Sequence, residues 1–314
     1  MRALGRVKYS ISYGFNILVA AKRQYLGVDL GGTSIKIGRY DDNGFLISLA
    51  EIKTPKPSVP GVVAVSLCEE LEKIDPSGEA DCVGIALPGP TDSQSRVART
   101  CINLPGWIDV PLAEWVESRT NRKVVLANDG NCALLGESWQ GAAKGFDDVI
   151  LITLGTGVGG AVMIDGELFT GHRGAAAEPG LIGLKSDGPV CNSGNQGSLE
   201  QYASAAAIKR DFGCDPIDLF QLAKNGNESA LASWRQYGRT LGIGISSLIY
   251  MFTPQLILIG GGISSAADYF LPSINVEIEK RVQLVSREGL VLKECQLGNN
   301  AGCFGAALLA MEHS

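Results

Sequence analysis

Two stretches of this sequence follow one plan, in which an apolar strand runs into a glycine turn and returns as a second apolar strand. The first is Tyr25 to Leu30, then Gly31-Gly32-Thr33, then Ser34 to Tyr40; the second is Val149 to Leu154, then Gly155 to Gly160, then Ala161 to Asp165. Apolar strands flanking glycines read as β-hairpins. Each half of the chain therefore opens on its own hairpin, and the order of elements starts again after a hinge near Ala127.

The first half continues regularly. A third strand in FLISLAEI follows the turn Asp41 to Gly44 and completes an antiparallel meander, and Val63, Leu67, Leu71 and Ile74 mark one helical face. A short strand, Cys82 to Leu87, ends at Pro88-Gly89-Pro90, and another, Lys123 to Ala127, ends at Asn128-Asp129 and runs into a helix through Glu137. The second half supplies helices and a strand from Gln255 to Ile259. Ligands of open α/β sheets sit at the carboxyl ends of strands, which sends Asp29, Asn128-Asp129 and the Gly155 turn toward one cleft.

The glycine turns suit phosphate. In Asp29-Leu30-Gly31-Gly32-Thr33 the glycines let backbone approach phosphate oxygens and Thr33 adds a hydroxyl, although such a string alone is also an ordinary hairpin turn. Leu154 to Gly160 contains a G-x-G-x-x-G string, but a dinucleotide site needs a helix after the glycines, and Ala161 to Asp165 reads as a strand. It is expected to be a second phosphate hairpin. The third turn, Gly260-Gly261-Gly262, leads to a helix whose face is Phe270, Ile274, Ile278 and Val282; it can pass against a flat adenine or merely open that helix tightly. No P-loop string occurs.

Composition removes other classes. The chain has 314 residues, 45% of them apolar and 19% charged, enough for about two ordinary domains. Its net charge of -6 offers no general positive field for a phosphate backbone, so no nucleic-acid partner is expected. The uncharged run from Thr240 to Ala267 is broken by Pro254, Gln255 and Gly260 to Gly262, and Leu241, Ile245, Leu248 and Phe252 fall on one helical face. A helix followed by a buried strand explains it, and no membrane span is expected. The eight cysteines read as reduced thiols of a cytoplasmic protein. Residues 1–24, basic and without an acid, read as a loose extension rather than a transit peptide.

The ordered strings LGVDLGGTSIKIG, GIALPGPTD, NLPGW, ANDGNCALLGE, LITLGTGVGGAVM, GSLEQYAS and LILIGGGIS resemble the repressor/kinase (ROK) family of sugar kinases, from Tyr25 onward. The run CNSGNQGSLEQ is most similar to the cyanobacterial-type glucokinase branch of that family. The resemblance implies an α/β chain with the two-lobed actin-like ATPase (ribonuclease H-like) sugar-kinase fold. A smaller lobe over 25–127 is expected, with a C-terminal helix in 301–314 packing back on it, and a larger lobe over 128–300. It implies phosphorylation of a hexose, glucose first, by ATP with Mg2+, in a cytoplasmic homo-dimer or homo-tetramer. Asp129 becomes the general base. Asn128, Glu178 and Glu200 become sugar-hydroxyl partners, with Asn103 and Gly89 as lesser ones. Asp29, Gly31, Gly32, Thr33, Lys36, Gly155, Thr156, Gly157, Gly159, Gly261 and Gly262 become the nucleotide side, with Asp29 the side chain nearest the magnesium.

One departure concerns metal. The family pattern Glu-x-Gly-His followed by Cys-x-Cys-Gly-x-x-Gly-Cys-x-Glu holds a structural zinc through one histidine and three thiolates. Here the matching residues are Glu178-Pro179-Gly180-Leu181 and Cys191-Asn192-Ser193-Gly194-Asn195-Gln196-Gly197-Ser198-Leu199-Glu200, so one ligand of four remains. No zinc is expected, Cys191 reads as a small packed residue, and the loop is expected to hang on hydrogen bonds from Ser193, Asn195 and Ser198. His172 reads as a loop residue. Rival readings are a kinase for N-acetylmannosamine, mannose or fructose, polyphosphate as donor, and a non-catalytic sugar sensor. A sugar-responsive repressor needs a DNA-binding helix-turn-helix that 24 residues do not hold.

Overall fold

The computed structural model describes residues 23–101 and 104–314. Most of the expected extension and Asn103 lie outside the described residues. The first half forms β1 (Gln24–Leu30), β2 (Ser34–Asp41), β3 (Leu46–Lys53), α1 (Pro60–Ile74), β4 (Ala80–Leu87), β5 (Ala98–Thr100), β6 (Ile108–Val110), α2 (Leu112–Thr120), β7 (Lys123–Asn128) and α3 (Asp129–Gln140). The second half forms β8 (Val149–Leu154), β9 (Val158–Ile164), β10 (Glu167–Leu168), a 3-10 turn Pro179–Leu181, α4 (Glu200–Ala203), α5 (Ala205–Phe212), α6 (Pro216–Lys224) and α7 (Glu228–Phe252). It ends with β11 (Leu256–Gly260), a 3-10 turn Gly262–Ala266, α8 (Ala267–Arg281), α9 (Leu284–Arg287), β12 (Val291–Glu294) and α10 (Ala301–Glu312).

The internal repeat is visible in the sheets. One has the order β3-β2-β1-β4-β7 and the other β10-β9-β8-β11-β12. In both, three antiparallel strands are followed by two parallel ones. The uncharged run from Thr240 onward is divided between α7 and β11, and among the described residues no helix is long and apolar enough to cross a membrane.

Strand alternation decides what each sheet face meets. In β1, Leu26, Val28 and Leu30 are fully buried against Val63, Leu67 and Leu71 of α1. Gly27 and Asp29 point the other way, toward α10. In β8, Ile150, Ile152 and Leu154 pack with Trp234, Tyr237 and Leu241 of α7 and Phe270 of α8. Val149 and Leu151 face the layer in between, where Cys132, Leu134 and Leu135 of α3 and Ala306 and Leu309 of α10 form one cluster with Ala86, Val125 and Ala127 of the first sheet. Two helices, α3 and α10, are thus shared by both sheets, and each removed apolar side chain contributes roughly 1.5–3 kcal/mol. All eight cysteines are free.

One strand boundary and one helix entrance differ from the pattern expected from sequence. The return strand of the second hairpin, expected from Ala161, starts at Val158, because Gly159 and Gly160 pair with Thr153 and Ile152 in the ladder. The third glycine turn does not enter its helix directly. A 3-10 turn intervenes, and α8 carries Pro272 inside it.

Candidate active site

The first hairpin is closed by the Gly31 N–H donating to the Ser34 carbonyl at 2.9 Å. Its carbonyls are turned away from the cleft by the segment after β3. The Thr54 hydroxyl donates to Gly31 O at 2.6 Å, the Thr54 N–H to Thr33 O at 2.9 Å, and Lys56 Nζ to Gly32 O at 3.3 Å. The N–H groups of Gly32 and Thr33 make no hydrogen bond among the described residues, which leaves them to an anion. Lys36 Nζ donates to Asn299 O at 3.0 Å, tying the hairpin to the approach to α10.

Asn128 and Asp129 divide two tasks between them. Asn128 caps α3: its Oδ1 accepts from the N–H of Gly130 at 2.8 Å and of Asn131 at 3.3 Å. Its amide Nδ2 reaches the Gly89 carbonyl at 3.5 Å, so Gly89 stands beside it. The Asp129 carboxyl accepts the Gly130 N–H at 2.8 Å, and hydrogen bonding from its own backbone and from the Asn128 side chain works against the effect of burial on it. Asp129 is exposed at its tip, yet burial among surrounding protein lifts its carboxyl above the ordinary value.

Electrostatics place the other acids around it. Burial and then the Asp129 charge push Asp29 up to about 6, against the lowering effect of Lys36. Glu178 is raised by burial first, then by Asp129 and Glu200. The Asp129 charge thus acts on both Asp29 and Glu178, and the Glu200 charge on Glu178, which puts the four acids in one neighbourhood.

Close backbone approaches explain how these residues arrive together. A Cβ on Gly160 would overlap the Leu151 carbonyl and lie 2.6 Å from Pro179 Cγ, and one on Gly130 would lie 2.7 Å from the Gly160 carbonyl. The start of α3, carrying Asp129, and the 3-10 turn after Glu178 therefore both press on β9 at a residue that has no side chain. Glu200, in the first turn of α4, accepts the Val158 N–H on Oε2 at 3.0 Å. The second hairpin turn, Gly155 to Gly157, presents exposed Thr156, and Gly261 at positive φ packs against the Leu154 backbone beside it. Gly262 borders open space. Gly159 lies over Thr153 within the strand ladder, with the turn glycines beyond it.

The loop without zinc ligands is held by polar contacts. Asn195 Nδ2 donates to the Leu181 carbonyl at 2.9 Å, the Cys191 N–H to Asn195 O at 2.7 Å, and the Asn195 N–H to Ser193 Oγ at 3.4 Å. Ser198 differs from expectation: its buried hydroxyl lies against the Cys191 sulfur without hydrogen-bond geometry. Cys191 is buried and its thiol points at Glu200 Oε1, 3.8 Å away, which gives it more than a packing role. Hydrogen bonding from Ser193 holds that thiol below its ordinary value. His172 is exposed in a turn.

Sequence reasoning missed Thr54 and Lys56, which lie outside any motif. It also missed Glu137, fully buried in α3 with Oε2 accepting the N–H of Ala142 at 2.8 Å and Gln296 at 3.1 Å, and Oε1 that of Leu297 at 2.8 Å. Its signal was available, since a carboxylate three residues after Leu134 falls on the apolar helix face. A separate surface recess of about 440 Å³ is bordered by Lys185, Tyr202, Arg210 and Thr240. Its one acid, Asp211, is taken by Arg210, and none of the cleft carboxylates lines it.

Known proteins with this arrangement are numerous. The profile described as the ROK family matches residues 25–313. The glucokinase of Thermotoga maritima is 32% identical over 311 residues, covering 93% of this chain and 98% of that protein. The glucokinase of Streptomyces coelicolor is 35% identical over 313 residues, covering 91% and 97%. Among solved structures, a ROK family glucokinase from Streptomyces griseus in complex with glucose and AMPPNP superposes with a TM-score of 0.78 at 32% identity, covering 92% of this chain and 99% of that one.

Proposed function

The chain belongs to the ROK family, and from that premise we propose that it is an ATP-dependent hexose kinase converting glucose to glucose 6-phosphate, with Asp129 as general base. The observation that carries this reading is the Asp129 carboxyl. It stands at the first residue of α3 beside the capping Asn128, and its charge acts on Asp29 and Glu178.

The chemistry follows from that position. A sugar hydroxyl within hydrogen-bond reach of Asp129 loses its proton to the carboxylate as its oxygen bonds to the terminal phosphorus of ATP. The bond from that phosphorus to the bridging oxygen breaks, and ADP leaves. Burial raises the Asp129 carboxyl, which makes it a better proton acceptor near neutral pH than an ordinary aspartate. The unpaired N–H groups of Gly32 and Thr33 stabilise phosphoryl charge without reorganising. Asn128 Nδ2, Glu178 and Glu200 orient the sugar hydroxyls beside the Gly89 turn, with Asn103 as a further candidate. Thr156, Gly155, Gly157 and Gly159 serve the phosphates from the second hairpin, with Gly261 and Gly262 against the adenine.

Magnesium fits the acidic cleft: Asp29 would meet it, largely through water, and when bound it neutralises phosphate charge. The loop from Cys191 to Glu200 has no zinc in this reading, because leucine and serine stand where zinc ligands would be. The cleft lies between a smaller lobe over 25–127, to which 301–314 returns, and a larger one over 128–300. The enzyme is cytoplasmic and works as a homo-dimer or homo-tetramer.

Purified protein assayed with ATP and magnesium, or polyphosphate, against glucose, mannose, fructose and N-acetylmannosamine tests the substrate and the donor. Asp129→Asn is expected to lose at least three orders of magnitude in kcat while glucose binding persists. Near-normal turnover in that variant would refute the assigned base.

A further inference from the structure

Glu200 touches two parts of the cleft at once. Oε2 accepts the Val158 N–H at 3.0 Å, at the residue where β9 leaves the second glycine turn. Gly157, one residue earlier in that turn, lies so close that a Cβ placed there would be 2.5 Å from the same oxygen. A second tie runs beside it: the Ala205 N–H, just after α4, donates to the Gly155 carbonyl at 2.8 Å. The short α4 segment therefore grips both arms of the turn that faces the donor phosphates. Its opposite carboxyl oxygen, Oε1, sits 3.8 Å from the Cys191 thiol, a weak donor and its one hydrogen-bond partner among the described residues.

A carboxylate has about four lone-pair sites, and the contacts above occupy two. The rest are open to sugar hydroxyls. Hydroxyls that bind there fix the side chain in one rotamer, and that rotamer is the one that holds the Val158 N–H. We propose that Glu200 couples the two substrates: sugar bound to its carboxylate locks the Gly155 to Gly157 turn in the form that takes the donor phosphates, and donor in turn tightens sugar. Linkage makes the effect reciprocal, by one factor in both directions. Gly157 is the residue that permits the latch, since any larger side chain would push the carboxylate off the strand. This inference rests on the hexose-kinase reading, which supplies the sugar at Glu200.

The test is calorimetric titration of glucose into the full-length protein with and without a saturating non-hydrolysable ATP analogue and magnesium. For the unaltered protein the nucleotide is expected to lower the glucose Kd about five-fold or more, within the range usual for coupled sites. In Gly157→Ala, with the analogue kept saturating, the displaced Glu200 carboxylate is expected to weaken glucose without nucleotide and to bring the ratio of the two Kd values toward one. Glu200→Gln keeps the side-chain shape and one oxygen; it should weaken glucose and lower the ratio as well. A Gly157→Ala protein that keeps the full ratio overturns the proposal, as does an unaltered protein that binds glucose with a ratio of one. Absence of glucose binding in the unaltered protein overturns the hexose reading itself, a result distinct from binding without coupling.

Discussion

Glu137→Gln is the substitution whose cost the structure lets one work out from single bonds. The Glu137 carboxylate is fully buried and its three hydrogen-bond donors are all backbone: Ala142 and Gln296 on Oε2, Leu297 on Oε1. No cation pairs with it among the described residues. A glutamine can keep Oε2 as its carbonyl and satisfy two donors, but its NH2 then faces the Leu297 N–H, donor against donor. One bond to a charged acceptor is lost and one buried N–H is left without a partner, which together cost about 2–4 kcal/mol. Out of a total stability of about 5–15 kcal/mol this is a large share. Urea unfolding followed by tryptophan fluorescence measures it directly, and a loss below about 1 kcal/mol would refute the reasoning. The same loop carries Asn299, whose carbonyl holds Lys36 at the first hairpin, so the variant is also expected to raise KM for ATP several-fold with KM for glucose little changed.

Asp29→Asn should stabilise the ligand-free protein while removing most activity. The Asp29 carboxyl is lifted from its ordinary 3.8 to about 6, so the folded state holds the proton more tightly than the unfolded one. The contribution of this one carboxyl to stability is therefore greatest below about pH 4, falls as pH rises to about 6, and is flat above, by at most roughly 3 kcal/mol. In a magnesium-free buffer at pH 7.5 the variant is expected to melt higher than the unaltered protein and to lose that pH dependence; an unchanged or lower melting temperature counts against it. Asn195→Ala breaks the bond to the Leu181 carbonyl and is expected to raise KM for glucose about three-fold or more with KM for ATP unchanged. Metal analysis of the same preparations should find less than one zinc per ten chains; one zinc per chain would reject the metal-free loop.

Strand alternation and glycine turns made both hairpins, both sheets and the helix faces of α1, α7 and α8 legible, because a period of two or 3.6 is local. Asn128-Asp129 was legible as a pair, but the division between them was not. Which residue caps and which stays free depends on backbone angles at one junction. The contributions of Thr54, Lys56 and Glu137 were hidden for a different reason. Each acts by holding backbone groups that lie far along the chain, and backbone groups carry no residue-type signal. The zinc loop shows both sides: loss of the ligands can be read from letters, but the replacement bond from Asn195 to a carbonyl at the position of the missing histidine needs coordinates.

The same features give the site a definite electrostatic character. Burial lifts Asp29, Asp129 and Glu178, the Asp129 charge adds to the rise at Asp29 and Glu178, and Lys36 opposes it at Asp29. Repulsion of this kind favours the apart arrangement of the acids, so closure around the substrates is favourable only when something offsets it. In the proposed reading, sugar hydroxyls donating to Glu178 and Glu200 would do so without adding charge, and magnesium carried by the nucleotide would bring cationic charge to the Asp29 side. ATP without its metal would add negative charge to negative. In the proposed reading each substrate therefore favours the arrangement that the other needs, in keeping with reciprocal coupling at Glu200.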